Sequence, residues 1–180
     1  MLYLVTDPCY LLDLDPKNKD RIWNLCINDM YDSDHSGKYD DRTDYTGVQK
    51  ILSEELGIKV LRVSATGYGD WSNSISSTSK HINVLVPEFY ADAGMMCVVE
   101  INDKLENFLM DHPIGAIFES DIPVDIRVND SNSCWFVLEI TDKDGFHKLV
   151  TSEDADDAED YYNDYDDDEE DDFEDDEYDE

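Results

Sequence analysis

Apolar residues recur along the chain in patterns that change character several times. Leu2-Tyr3-Leu4-Val5-Thr6 is a short continuous run and predicts a strand, ended by Asp7-Pro8. Asp15-Pro16 suits a helix start, because Asp can cap and Pro fits the first helical position. Ile22, Leu25, Cys26 and Met30 then recur at helical spacing, widened by Trp23 and Ile27, and predict a helix to about Tyr31. Asp32 to Asp44 is polar and reads as a loop. Thr46 suits a second cap, with Val48, Ile51, Leu52 and Leu56 on one face and Gly57 at the helix end.

Ile58 to Ala65 is rich in β-branched residues and predicts a strand broken at Thr66 to Trp71. Ser72 to Lys80 has little to bury and reads as a loop, and Ile82 to Val86 as a short strand. Met95 to Ile101 is continuously apolar, as a central strand would be. Asn102 can cap a short helix to about Met110. Ile122, Val124, Ile126 and Val128 alternate with polar residues, and Cys134, Phe136, Leu138 and Ile140 repeat the alternation after a turn at Asn129 to Ser133. A second turn at Asp142 to Gly145 leads into Phe146 to Val150. The expected fold class is α+β: an antiparallel sheet with a C-terminal meander and two to three helices over residues 1–152, followed by a tail at 153–180.

Charge separates these two parts. Residues 153–180 hold 20 of the 46 acidic residues and none of the 13 Lys and Arg. The remaining 26 acids against 13 bases leave residues 1–152 at −13, beside −20 in the tail. A tail of this composition cannot bury enough apolar surface to offset its ordering entropy, and is expected to be disordered and extended by self-repulsion. With no basic footprint, direct nucleic-acid binding and docking on an anionic membrane are disfavoured, and a basic protein is the natural partner. Cys9, Cys26, Cys97 and Cys134 form no CxxC pair and lie among apolar residues. Met1 to Tyr10 lacks a secretory signal's basic start, and no run reaches the ~20 apolar residues of a membrane span. Free thiols and a cytoplasmic location are expected.

Four segments are candidates for chemistry. Asp32, Asp34, Ser36 and Asp40, with Gly37 at the sixth position, match the opening of a calcium loop. Its twelfth position is Thr43, so the bidentate acid is missing and only weak calcium binding is expected; the plainer reading is an acidic surface loop. No other cofactor is indicated. Asp7-Pro8-Cys9-Tyr10 offers a thiol, but acidic surroundings raise a thiol pKa, and a structural turn is the favoured reading. Gly67-Tyr68-Gly69-Asp70-Trp71 brings two glycines together without completing a dinucleotide or phosphate-loop motif. Asp92, before Gly94, would form a carboxylate site with Asp7 and Asp70 if the strand ends converge, with Cys9, Tyr10 and Trp71 beside it.

Taken in order, Asp7-Pro8-Cys9-Tyr10, Trp23, Thr66-Gly67-Tyr68-Gly69-Asp70-Trp71 and Asp92-Ala93-Gly94 resemble a set of motifs in a family of small bacteriophage proteins and their bacterial relatives. The resemblance spans roughly Met1 to Glu100. It implies a phage origin more than an activity, and it implies that these turns define the fold. The region after Asn102 and the tail lie outside it.

The tail has a second unusual property. Tyr161, Tyr162, Tyr165, Phe173 and Tyr178 punctuate the acids, and the densest acidic run, Asp164 to Glu177, contains Asp166, Asp167, Asp168, Glu169, Glu170, Asp171 and Asp172. Charges attract a basic groove, and rings anchor in it. Extended at ~3.3 Å per residue, the tail carries roughly one charge per 4–5 Å, nearer to a nucleic-acid single strand at ~3.4 Å than to a duplex at ~1.7 Å. The leading expectation is a non-enzymatic phage-type accessory protein whose tail binds a basic host or phage protein as a single-strand-like mimic or recruitment tail. The alternatives are a solubilising tail, and a small-ligand or metal site at Asp7, Asp70 and Asp92. No oligomeric state follows.

Overall fold

A computed structural model of the chain describes residues 1–35, 45–65, 71–77, 79–122, 124, 126–128, 137–142 and 145–152. Strand β1 (Leu2–Thr6) opens the chain, followed by a single helical turn, α1 (Pro8–Leu11), and a 3-10 turn at Leu12–Leu14. Helices α2 (Lys19–His35) and α3 (Thr46–Leu56) come next. Five strands follow: β2 (Lys59–Ala65), β3 (Trp71–Ser77), β4 (Ile82–Val86), β5 (Glu88–Ala91) and β6 (Met95–Glu100). Helix α4 (Asp103–Asp111), β7 (Ala116–Ser120), β8 (Arg127–Val128), β9 (Val137–Asp142) and β10 (Gly145–Ser152) complete the order.

The strands form two antiparallel sheets, β2-β6-β1-β7-β4 and β5-β3-β10-β9-β8. The central strands β1 and β6 of the first sheet are buried on both faces. Leu4, Cys97 and Val99 pack with Ile22, Cys26, Val48, Leu52, Leu56 and Leu105 of the helices. Tyr3, Val5, Met96, Val98 and Phe118 point the other way and pack with Ile75 and Phe89 of the second sheet. The layers are therefore helices, sheet, sheet, and the class is α+β. Burial from both sides explains why Met95 to Val99 reads as one apolar run instead of alternating. The C-terminal meander is present as β8-β9-β10, each strand antiparallel to the next.

Residues 82–91 turn the corner between the sheets. β4 pairs with β7 in the first sheet, β5 pairs with β3 in the second, and Pro87 sits between, its carbonyl accepting from Ile75 N at 2.8 Å.

Several boundaries differ from the expectation. Asp15 and Pro16 lie in a turn preceding α2: Asp15 N donates to Leu12 O, Asn18 N to Asp15 O and Asn18 Nδ2 to Asp15 Oδ2, and α2 opens only at Lys19. That helix extends to His35, so the polar stretch from Asp32 is helical at its start. Thr46 is the first residue of α3; the cap position is Tyr45, which makes no side-chain cap bond. Instead, the Asp29 carboxylate of α2 packs on Gly47 so closely that a Cβ there would lie 2.0 Å from Oδ2. Gly57 ends α3 in the left-handed conformation (φ 65°), and Asn102 Oδ1 caps α4 by accepting from Leu105 N at 3.0 Å, both as expected. The serine-rich stretch read as a loop is β3, held between β5 and β10. Among the described residues of the predicted strand from Ile122, Arg127–Val128 form a strand and Ile126 is buried.

Candidate functional site

Asp7 ends the central strand β1, and the antiparallel register with β6 (Thr6 opposite Cys97) sets it beside the turn at Asp92 to Gly94. Its side chain is fully buried. Oδ1 accepts from Cys9 N at 2.8 Å, capping α1, where Pro8 occupies the first turn. Oδ2 accepts from Asp92 N at 2.8 Å and from Ala93 N at 2.7 Å. One carboxylate thus joins the end of β1, the start of α1 and the turn before β6. A buried carboxylate is tolerable only with such donors, and here backbone amides supply them.

The neighbouring polar groups are engaged in the same way. The buried Thr6 hydroxyl donates to Ile114 O at 2.5 Å. Gly115 lies so close to β1 that a Cβ would fall 2.2 Å from Val5 O. The half-buried Cys9 thiol approaches Asp92 Oδ2 at 4.0 Å. Burial, then the hydrogen bond with Asp7 and the charges of Asp7 and Asp92, push its pKa well up. Cys26 is pushed up to about 11, chiefly by burial, and burial raises the fully enclosed Cys97 as well. A thiol of raised pKa stays protonated at neutral pH and is a poor nucleophile.

Asp7, Cys9, Tyr10 and Asp92 are therefore brought together at one end of the central strand. Asp70 lies outside the described residues, and Trp71 is placed as the first residue of β3. The arrangement of Asp7 fixes a turn: three amides already occupy its oxygens. Among the described residues no group of three or more His, Cys, Asp or Glu is placed to hold a metal.

Of the calcium-loop residues, Asp32 and Asp34 fall in the last turn of α2, and Ser36 and Asp40 lie outside the described residues. The tail residues Tyr161, Tyr162, Tyr165, Asp166 to Asp172 and Phe173 also lie outside the described residues. Their point of attachment is placed: β10 runs to Ser152, which lies opposite Ser74 of β3. Among the described residues no helix is long and apolar enough to cross a membrane.

Sequence reasoning did not single out Leu85, Val86 and Tyr90, which are exposed on β4 and β5. The one sequence signal there is Pro87 interrupting an apolar stretch. No protein family, curated protein or solved structure matches the chain.

Proposed function

We propose that the chain is a non-enzymatic accessory protein, of the phage type its turn motifs resemble, whose acidic tail engages a basic protein. The observation that carries this reading is the distribution of charge: 20 carboxylates and five aromatic rings in 28 residues without one base, continuing from the end of β10. The partner is a protein with a basic groove of the kind that holds a nucleic-acid single strand, because the tail's charge spacing approaches that of one strand. Asp164 to Glu177 supply the field, and Tyr161, Tyr162, Tyr165 and Phe173 stand where stacked bases would. The body holds the tail and adds its own net −13 to the attraction.

The test is competition. A basic single-strand-binding protein loaded with labelled oligothymidylate is titrated with the full chain, and with a full chain whose tail carboxylates are all replaced by amides. Displacement by the first and not by the second is expected, weakening steeply as salt rises. Equal displacement by both chains would sink the reading.

A further inference from the structure

The corner at residues 82–91 carries apolar surface that the fold leaves open. Among the described residues six large apolar side chains are exposed, and three of them, Leu85, Val86 and Tyr90, fall in this one stretch. Single exposed apolar residues are ordinary, whereas a cluster marks an interaction surface. The local chemistry explains the exposure. β4 is an edge strand of the first sheet and β5 of the second. The register of β4 on β7 shifts between Val84 and Val86, and Pro87 follows. Phe89 and Ala91 turn into the core, so Glu88 and Tyr90 form the outward row of β5, and Val86 is exposed beside it across Pro87. The opposite edge is covered: Tyr45 N donates to Val63 O, and Gln49 Nε2 to Val60 O, along β2.

The corner also lies beside the root of the tail. Ser152 is opposite Ser74, and Ser74 is opposite Glu88, so the three stand in one row across β10, β3 and β5. Two strand spacings of ~4.8 Å put the tail's origin about 10 Å from the centre of the exposed row.

We infer that Val86, Glu88 and Tyr90, with Leu85, form the apolar foothold of the basic protein that the tail engages. This rests on the tail reading above. The occupant is a partner segment that alternates basic and apolar side chains, its apolar groups on Val86 and Tyr90 and a cation at Glu88. Tail charge accelerates encounter, and the anchored side chains slow dissociation. A second copy of the chain is opposed by −33 on each, and the tail itself by like charge on the body.

Two synthetic peptides of equal charge, one alternating Lys and Leu and one alternating Lys and Ser, test this against the full chain. The Lys–Leu peptide is expected to bind roughly tenfold more tightly. The double variant Val86→Ser/Tyr90→Ser abolishes that advantage and leaves Lys–Ser binding unchanged, while the amide-tail chain binds both peptides weakly. An advantage that survives in the double variant overturns the foothold. So does slower hydrogen exchange over residues 84–91 in the free full chain than in the amide-tail chain, because the tail would then cover the corner. A dimer that the double variant dissociates overturns it too. Equal binding of the Lys–Ser peptide by intact and amide-tail chains overturns the tail reading instead, and with it the partner named here.

Discussion

The turn at Asp7 and the corner at residues 82–91 both hold side chains of the kind that mark functional sites, and they differ in whether the fold satisfies them. At Asp7 a buried carboxyl group meets three backbone amides, the adjacent Thr6 hydroxyl reaches a carbonyl, and the nearby thiol is held protonated. The apolar groups at the corner meet no comparable complement: Leu85, Val86 and Tyr90 are exposed on edge strands. A group whose needs are met inside the chain determines conformation. One whose needs are unmet is available to something else.

The contrast makes graded predictions. Asp7→Ala strands three amides at the end of the central strand, and should cost ~3–5 kcal/mol in urea unfolding. A loss under ~1 kcal/mol would mean the Asp7 turn is not what holds the fold there. Gly115→Ala presses a methyl against the β1 backbone and should cost ~1–3 kcal/mol by the same measurement.

Alkaline pH probes the three raised thiols. A pKa higher in the folded than in the unfolded state gives stability that is full below the unfolded value, near pH 8.5, and is lost as pH rises above it. The melting temperature should hold to about pH 8 and fall beyond, each thiol contributing at most ~1.4 kcal/mol per pH unit. Cys97→Ala should flatten that fall; an unchanged slope would exclude Cys97 from it. The smallest effect is expected at the corner: Val86→Ser/Tyr90→Ser should shift stability by no more than ~0.5 kcal/mol. A larger loss would show that these residues serve the fold, and the contrast would disappear.

The sequence revealed most where local chemistry and tertiary packing agree. Asn102 caps α4 with its own side chain, and Gly57 ends α3 with its own backbone, so both were legible. Asp15 was misleading because a cap-forming residue also serves a turn, and its carboxylate binds Asn18 there. β3 was not legible because its serines give no strand signal; partners at Glu88–Ala91 and at Leu149–Ser152, distant in sequence, hold it. The approach of Asp7 to Asp92 needed the register of β1 on β6, which no local pattern specifies. The exposed corner was missed for a related reason. Leu85 and Val86 look like core residues until the sheet order places their strand at an edge.

β10 lies in the interior of its sheet, between β3 and β9, and ends at Ser152, next to the acidic tail. This gives the tail a mechanical property. Tension applied through the tail enters β10 at Ser152 and loads first the ladder to β3, which spans Leu149–Ser152, and behind it the ladder to β9, which spans Gly145–Val150. A partner pulling on the acidic segment would be working against a tether rooted within a sheet, not a strand that peels from an edge.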